Sequence, residues 1–478
     1  MRSFKFVQAV VLCFAFATGV ANAAEYKQGE ILVKYKDSAV RTHETMNSLY
    51  SNVGVSSVRR YTGVMQGFEQ LLLNDNIKVE DAIAEAMRSG DVEYAQPNFI
   101  MRALPIKEAK VMDAPTGGIP CIPGFNIPGC DPKAQLPCLI PGIFPPGCSA
   151  DGAPGQNPGK PVTRPALNPA PAEVSPAVAD PSLDQAYGIA KIGAPEAWKL
   201  HKGDKKFIVA DIDTGIDYNH EDLSFNLWRN PDTAKDTGTV GYDFVHNDTL
   251  PFDDNEHGTH TAGTIGAVGG NGIGVSGVSQ RVSLMALKFL SGEGSGTTAD
   301  AVRAIDFAIA HGAKVLSNSW GGKGDQDNKA LGDAIDRAKA ADILFVAAAG
   351  NDSADNDGTD ASFPAALPND NIISVAATDS NDSLAFFSNF GKKTVHVAAP
   401  GVKVYSTVPG SQYKEESGTS MACPHVAGAA ALIWSAHPSW NYMKVKQVLM
   451  DTSDKLPVLQ EKTISGGRIN VLSALKAN

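Results

Sequence analysis

A serine lies close to a cysteine and a histidine in the stretch "SGTSMACPHVAG", residues 417–428. Gly418 permits a tight turn, and Pro424 is tolerated only in the first turn of a helix, so we expect a helix to begin near Ser420. A serine at that place is exposed and lies near the positive end of the helix dipole. Its hydroxyl is a weak nucleophile, however, and needs a base to take up its proton.

Three further polar residues follow apolar runs where such a base and its helpers are expected. Asp213 ends "FIVADID", His257 lies in "DDNEHGTHTAG" and Asn351 ends "FVAAAGN". A histidine can take the proton, a carboxylate can hold its tautomer, and an amide can donate to the oxyanion that forms. Asp213, His257 and Ser420 therefore predict a catalytic triad for acyl transfer. Asn351 and the backbone N–H of Ser420 are the predicted oxyanion donors.

The region that carries these residues, 180–478, alternates strand-like and helix-like segments. Continuous apolar runs such as "VSLMALKFL" and "NIISVAA" are typical of strands buried on both faces. Amphipathic stretches such as "TADAVRAIDFAIAHG" lie between them and predict helices. This alternation predicts an α/β fold with a doubly wound, mainly parallel sheet, whose site forms at the carboxyl ends of the strands.

A smaller folded region precedes this one. Residues 24–103 show the pattern β-α-β-β-α-β, which predicts a small α+β ferredoxin-like sandwich. Its first helix is expected to end at Gly54, and its last strand to be interrupted at Pro97. The region has no cluster of titratable side chains, which indicates a binding or chaperone module.

Export is predicted from the N-terminus. Residues 1–23 combine a basic start, a short apolar run and an A-x-A pattern ending at Ala23, which is typical of a secretory signal peptide. No later segment is long and apolar enough to predict a membrane anchor. The expected location is therefore the extracellular space or the periplasm.

A Pro/Gly-rich linker, residues 104–179, is predicted between the two folded regions. It contains two similar units, "PCIPGFNIPGC" and "PCLIPGIFPPGC", each bounded by cysteines. Four cysteines allow three disulfide pairings, and the repetition favours Cys121–Cys130 and Cys138–Cys148. We interpret the segment as an extended linker that its disulfides protect from proteolysis, with a small binding module as the alternative.

The motifs together resemble those of the subtilisin-type serine peptidases. Five segments match in the family's chain order, namely "VADIDTGIDYNHEDL", "DDNEHGTHTAGTIGA", "SNSWGG", "AAAGND" and "SGTSMACPHVAG". Residues 24–103, especially "VEYAQPNF", resemble the inhibitory propeptide of that family. The resemblance implies a monomeric zymogen whose propeptide assists folding, blocks the cleft as an intramolecular inhibitor and is removed by self-cleavage.

The resemblance also implies a substrate pocket whose walls are formed by Ser319, Trp320, Gly321, Ala348, Ala349 and Gly350. The first wall would also pair with the substrate backbone as an added strand. Small residues in these walls leave a roomy, mostly apolar slot. They imply broad endopeptidase activity on proteins and peptides with large uncharged side chains.

A structural calcium ion is implied as well, because "GGNGIGV" resembles the family's calcium loop. The ligands that the resemblance implies are the side chains of Asp222, Asn271 and Asp180 and the backbone carbonyls of Gly269, Ile273 and Val275. Oxygen-only ligation suits calcium. An ordinary Gly-rich turn is the alternative reading of the loop.

Other residues near the motifs receive simpler interpretations. Cys423 is expected to be a small buried residue, and His260 and His425 to be packed in the core rather than to bind a metal. Glu256 stands where the family more often has glycine, and would raise the pKa of His257 if it pointed inward. A second "DTG" near residue 236 suggests an aspartic peptidase, but no second lobe accompanies it, so we interpret it as a turn.

A net charge of −11 provides no basic surface for nucleic acid or an anionic membrane. We therefore expect a secreted, calcium-stabilised serine endopeptidase that is made as a zymogen. A catalytically inactive exported binding protein on the same scaffold is the alternative. Self-cleavage of the precursor would distinguish the two.

Overall fold

The computed structural model describes residues 24–39, 41–61, 67–107, 164–171, 178–231, 240–323 and 328–478. The predicted signal peptide, the cysteine-bounded repeats and the second "DTG" lie outside these residues and stay predictions. Within the described ranges, no helix is both long and apolar enough to cross a membrane.

The N-terminal sandwich, residues 24–103, is an antiparallel sheet packed against two helices in the part of the chain that is described. Its elements are β1 (Tyr26–Tyr35), α1 (His43–Val53), β2 (Val55–Arg60), β3 (Phe68–Leu73), α2 (Val79–Ala86) and β4 (Val92–Ala103). The strand order β4-β1-β3-β2 agrees with the predicted ferredoxin-like arrangement.

Local sequence explains the ends of the first helix but not the course of the last strand. Thr42 caps α1 by accepting the N–H of Thr45, and Gly54 ends the helix with a left-handed φ of 78°. The strand β4 continues past Pro97, but its pairing with β1 is irregular at that point: Pro97 lies opposite Ile31 and Phe99 lies opposite Tyr26. The interruption predicted at Pro97 is thus present in the pairing with β1 but not in the strand itself.

The C-terminal domain begins with short helices and then alternates strands and helices. Its elements are α3 (Tyr187–Lys191), α4 (Ala194–Ala197), β5 (Gly203–Asp213), β6 (Gly241–Asp243), α5 (His257–Gly266), β7 (Arg281–Lys288), β8 (Ser295–Thr297), α6 (Thr298–Ala310), β9 (Val315–Asn318), β10 (Trp320–Lys323), α7 (Lys329–Ala340), β11 (Leu344–Ala348), β12 (Ser362–Phe363), β13 (Ile372–Thr378), β14 (Val397–Pro400), β15 (Val404–Val408), β16 (Gln412–Glu416), α8 (Thr419–Ala436), α9 (Tyr442–Asp451), β17 (Asp454–Lys455), β18 (Gly467–Arg468) and α10 (Val471–Leu475).

The central sheet has the order β17-β18-β14-β13-β11-β9-β5-β7-β6 and is parallel except for the β17–β18 pair. Successive residues of β5 face opposite sides: Val209 joins the apolar cluster that contains Ile265 of α5, and Ala210 joins the cluster that contains Ile305 of α6. The strands are thus buried on both faces, which confirms the predicted doubly wound α/β fold.

The sandwich docks on this domain through β4, which pairs antiparallel with both β8 and β10. Gln96 and Asn98, both buried, lie at the start of two helices of the C-terminal domain. Asn98 Oδ1 accepts the N–H of Ala299 at the start of α6, and Gln96 Oε1 accepts the N–H of Ala330 at the start of α7. The sandwich therefore satisfies donors that these helices cannot pair internally.

Candidate active site

Asp213 and His257 meet at the carboxyl end of the sheet. Asp213 is the last residue of β5 and His257 is the first residue of α5, and both are fully buried. His257 Nδ1 lies 2.7 Å from Asp213 Oδ1, which also accepts the N–H of Thr214 at 2.7 Å. A carboxylate only accepts, so Nδ1 carries the proton and the neutral ring keeps Nε2 free to act as a base.

The surroundings of His257 favour its charged form. Burial by itself lowers the pKa of the imidazole, but the charge and hydrogen bond of Asp213 oppose burial and raise the pKa to about 9. Glu416 and Asp253 add to this rise through their negative charge. The surroundings of His257 therefore stabilise the imidazolium that forms when Nε2 takes up a proton.

Asp253 organises the start of α5. Its buried carboxylate accepts the Thr214 hydroxyl at 2.8 Å, the N–H groups of Asn255 and Glu256 at 3.0 Å, and the Thr259 hydroxyl at 2.6 Å. These bonds fix the first turn of the helix, on which the orientation of the histidine depends. No role was predicted for Asp253 from the sequence, although an aspartate just before a helix is a recognisable capping signal.

The extra carboxylate next to the histidine is Glu416 rather than Glu256. Glu256 has a left-handed φ of 115°, and its side chain turns outward to Lys414, with 2.5 Å between Oε1 and Nζ. Glu416, at the end of β16, is fully buried, and its oxygens have no hydrogen-bond partner in the described chain. Burial raises the pKa of Glu416 to about 7.

Ser420 is the second residue of α8, so the helix starts where predicted, but Pro424 is its sixth residue and lies inside the helix rather than in the first turn. Ser420 is buried, not exposed as expected. Its hydroxyl donates to the backbone carbonyl of Ser319 over 3.2 Å. His257 Nε2 is also buried and has no hydrogen-bond partner among the described residues. The structure thus brings the three residues of the predicted triad to one edge of the sheet, but no hydrogen bond joins Ser420 and His257.

Asn351 has a fixed orientation. Its Oδ1 accepts both the N–H of Thr419, at 2.9 Å, and the Thr419 hydroxyl, at 2.8 Å. The amide nitrogen must therefore point the other way, where it donates to the backbone carbonyl of Pro105 over 3.0 Å. A donor next to Ser420 thus holds a peptide carbonyl, which is the geometry expected of an oxyanion site.

That peptide carbonyl belongs to the segment after β4, residues 104–107, which we call the tail. The strand β4 reaches the site between β8 and β10, with Met101 opposite Gly296 and Arg102 opposite Gly321. The tail continues with a weak bond of 3.4 Å from the Leu104 N–H to the carbonyl of Ser319. Further along, the Lys107 N–H donates to Ser417 over 2.7 Å. The tail is therefore bound at three points of the site, by Ser319, Asn351 and Ser417.

The residues predicted to form the pocket walls lie beside the tail. Ser319 contacts the tail through its backbone and Gly321 pairs with Arg102 of β4, whereas the indole of Trp320 packs inward against Phe289. In the second wall, Ala348 belongs to the same apolar cluster as Leu104, while the Ala349 side chain belongs to a separate cluster. Gly350 has a φ of 113°, and a Cβ there would lie 2.4 Å from Asn389 Nδ2, so a larger residue does not fit.

Asp222 and Asn271, predicted calcium ligands, lie together at the loop 269–275. Asp222 is fully buried and accepts neutral donors only: Asn271 Nδ2 at 2.8 Å, the Val275 N–H at 2.9 Å and the Tyr413 hydroxyl at 3.2 Å. Burial raises the pKa of Asp222 to about 7. A cation would offset this burial of a carboxylate. In this structure Asn271 turns its amide nitrogen to Asp222 and its Oδ1 accepts the N–H of Ile273 at 2.8 Å, so the amide would have to turn to ligate calcium.

Asp180 acts on the backbone of the same loop. Its carboxylate oxygens accept the N–H groups of Gly270, Asn271 and Gly272 at 2.9–3.3 Å. Its role as a metal ligand stays a prediction. In the described ranges, no three His, Cys, Asp or Glu side chains converge as a metal cluster.

The remaining motif residues pack as predicted. Cys423 is buried, burial raises the pKa of its thiol to about 12, and Sγ contacts the carbonyl of Val346 at 3.5 Å. His425 Nδ1 bonds to the carbonyl of Met421, one turn back in α8. His260 Nε2 lies 3.0 Å from the carbonyl of Val404. Burial lowers the pKa of both histidines, which suits neutral core side chains.

Comparison with known proteins identifies the family to which the chain belongs. The model of the subtilase family, peptidase S8, matches residues 204–467. The chain belongs to the subtilase family. A second model, the fervidolysin N-terminal prodomain, matches residues 15–98 of this subtilase, so its N-terminal sandwich is a prodomain.

Individual relatives agree with the family models. This subtilase is 42% identical over 270 residues to thermitase from Thermoactinomyces vulgaris, covering 56% of the subtilase and 88% of thermitase. It is 41% identical over 270 residues to subtilisin DY from Bacillus licheniformis, covering 92% of that relative. It is 40% identical over 271 residues to subtilisin amylosacchariticus from Bacillus subtilis subsp. amylosacchariticus, covering 66% of it. The predicted family and the predicted class, a subtilisin-type serine endopeptidase, are confirmed.

Proposed function

We propose that this subtilase is exported as a zymogen and that Ser420, His257 and Asp213 are its catalytic triad. One observation carries the proposal: Asn351 holds the peptide carbonyl of Pro105 at 3.0 Å, beside the helix start that bears Ser420. The 2.7 Å bond between His257 and Asp213 supports the assignment of the base. The sequence signal at residues 1–23 supports export to the extracellular space or the periplasm.

The geometry supports acyl transfer in two stages. Ser420 Oγ attacks the carbonyl carbon of the substrate while His257 Nε2 takes its proton, and Asp213 stabilises the imidazolium. The oxyanion accepts hydrogen bonds from Asn351 Nδ2 and the Ser420 N–H. The C–N bond then breaks and His257 protonates the leaving amine. Water, activated by His257, next hydrolyses the acyl-enzyme and restores the serine.

The reaction requires one rearrangement from the structure described here. The Ser420 hydroxyl must leave the carbonyl of Ser319, to which it is bonded over 3.2 Å, and turn toward His257 Nε2. His257 must also lose the proton that its surroundings favour. The zymogen therefore holds the parts of the site in place without the hydrogen bond between Ser420 and His257.

We further propose that the prodomain inhibits the enzyme by occupying the cleft like a substrate. The pairing of β4 with β8 and β10 supports this, because a substrate would use the same backbone groups. Leu104, which is 8% exposed, joins an apolar cluster beside Ala348. This supports broad cleavage of proteins and peptides with large uncharged side chains.

Covalent labelling tests the proposal. We expect a fluorophosphonate to modify the self-processed protein at Ser420, as located by mass spectrometry of its peptides, and to stop hydrolysis of an added peptide. Prior incubation with a competing peptide should protect the serine. A protein that takes up no label and cleaves no peptide would instead favour an inactive exported binding scaffold.

The pH dependence of self-cleavage depends on the proposed base. Neutral His257 is the active form, so we expect the first-order rate in the purified precursor to rise with pH until about 9, the pKa to which Asp213 raises the imidazole against its burial. Glu416 ionises near pH 7 and holds a proton on His257 above that pH. The variant Glu416→Gln should therefore lower the apparent pKa and speed self-cleavage between pH 7 and 9.

The neighbouring Glu415 provides the matched control, because its side chain is exposed. Glu415→Gln should leave the pH profile in place. Equal shifts in the two variants would show that the effect comes from net charge rather than from the buried carboxylate. A profile that is flat above pH 6 would contradict the role of His257.

We also propose that calcium binds at the loop 269–275. Asp222, Asn271 and the carbonyls of Gly269, Ile273 and Val275 would hold it, with Asp180 as a further ligand. When bound, the ion would neutralise the buried carboxylate and tie the loop to the domain.

Chelation should therefore lower the melting temperature. With free calcium at about 100 times its Kd, removal should cost about 2.7 kcal/mol of the free energy of unfolding. The measurement uses thermal unfolding of Ser420→Ala, which avoids self-digestion. Adding Asn271→Ala should abolish the calcium dependence, whereas Asn381→Ala, at an exposed turn, should preserve it. A chelator effect of the same size in both variants would place the ion elsewhere.

A further inference from the structure

The tail places one peptide bond at the proposed site. Asn351 donates to the carbonyl of Pro105, so the bond next to that carbonyl is the one between Pro105 and Ile106. Beyond it the chain continues past the site, because the Lys107 N–H donates to Ser417. Ile106 is 39% exposed, so water can approach the bond from that side.

The far end of the linker is bound to the peptidase domain. Arg164 donates to Asp243 at 3.3 Å and to Asp248 at 2.7 Å. The Asp243 side chain is fully buried and the Arg164 side chain is only 27% exposed. An arginine that bridges two carboxylates with little solvent around it holds its position far better than a single surface ion pair.

The residues that follow Arg164 are bound as well. The side chain of Asn219 bonds twice to the chain, through Nδ2 to the carbonyl of Ala166 at 2.8 Å and through Oδ1 to the N–H of Asn168 at 2.9 Å. Leu167 packs against the apolar cluster that contains Val209. We call residues 164–168 the anchor.

We propose, on the basis of the function proposed above, that a single self-cleavage between Pro105 and Ile106 matures this subtilase, and that the linker stays on the enzyme as an N-terminal arm held by the anchor. The bond that breaks lies near the start of the predicted linker, before the cysteine-bounded units, whereas the anchor lies after those units. The cut therefore releases the prodomain and leaves those units covalently joined to the peptidase domain.

The proposed self-cleavage is the hydrolysis of one peptide bond. The C–N bond between Pro105 and Ile106 breaks, and the Ile106 nitrogen leaves with the proton that His257 delivers. The oxygen of water joins the Pro105 carbonyl carbon when the acyl-enzyme is hydrolysed. The new chain begins two residues after the first residue of the predicted linker, at Ile106.

N-terminal sequencing and intact-mass measurement of the active enzyme, made from the full chain, test the proposal. We expect the N-terminus Ile106 and the mass of residues 106–478. An active enzyme that begins at Pro105, or at any residue after Ile106, overturns the proposal, as does an active enzyme that stays uncut. Failure of the underlying function is distinguished by its own readout, since such a protein takes up no fluorophosphonate and cleaves no peptide.

Hydrogen exchange of the mature enzyme tests the anchor. We expect Arg164→Ala to lose amide protection at Asn168, whose N–H donates to Asn219 Oδ1, while peptide hydrolysis remains unchanged. Lys191→Ala is the matched control, because Lys191 is 28% exposed and also pairs with an aspartate, Asp382. Unchanged protection in Arg164→Ala, or the same loss in both variants, overturns the role given to the anchor.

Discussion

Replacing Ser420 with alanine is expected to slow self-cleavage by about 10⁶, the range measured for the catalytic serine of subtilisin. Without Oγ no acyl-enzyme forms, and the tail stays in the cleft between β8 and β10. Mass spectrometry of the secreted protein, wild type beside variant, measures this directly. The wild type should lose its prodomain, and the variant should keep it throughout the incubation.

Ser435→Ala is the control for this experiment, because Ser435 lies on the same helix α8, near its far end, and bonds only to structural partners there. It should mature like the wild type. If Ser420→Ala and the wild type are processed alike, another protease performs the cut and the proposed self-cleavage is wrong. If neither is processed, the inactive binding scaffold becomes the better account.

Loss of the Asn351 amide should have the second largest effect. In Asn351→Leu we expect kcat of the mature enzyme for an added peptide to fall by about 10²–10³, the range measured for such an asparagine in subtilisin. The amide donates most strongly once negative charge has formed on the oxygen, so KM should change little. Steady-state kinetics with one peptide substrate separate the two parameters.

Thr419→Val tests the same site by removing a hydrogen bond that orients the Asn351 side chain. The Thr419 hydroxyl is one of two donors that orient the Asn351 side chain, and its backbone N–H remains in the variant. The loss in kcat should therefore be clearly smaller than in Asn351→Leu. A change confined to KM in Asn351→Leu would mean that the amide binds the ground state only, which contradicts an oxyanion role.

The positions of the proposed site residues could be predicted from the sequence because of a general property of parallel sheets. Asp213 and Asn351 follow buried parallel strands, and such strands end at one edge of the sheet, so their neighbours must be close together. The helix start near Ser420 was predicted correctly, but the reason given for it was wrong, because Pro424 lies inside α8 and not in its first turn. The rule for parallel strands, in contrast, does not depend on how distant parts of the chain pack.

Features that depend on contacts between distant parts of the chain could not be predicted from local sequence. Glu416 reaches the vicinity of His257 through the β15–β16 hairpin, whose placement no local pattern reveals. Glu256 adjoins His257 in sequence, yet its side chain turns outward because Lys414 pairs with it. The direction of the Ser420 hydroxyl and the docking of Arg164 likewise depend on side-chain choices made in the assembled fold.

The burial of α8 affects the order in which parts of the enzyme unfold in denaturant. Every residue from Thr419 to Trp434 is buried, so the amides of this helix should exchange with solvent only when the whole domain unfolds. The strands β8 and β10 lose their partner β4 when the prodomain leaves, and their amides should exchange early. Mild denaturant should thus fray the rims of the cleft while the nucleophile stays in place. Such inactivation would be reversible on dilution until α8 itself begins to exchange.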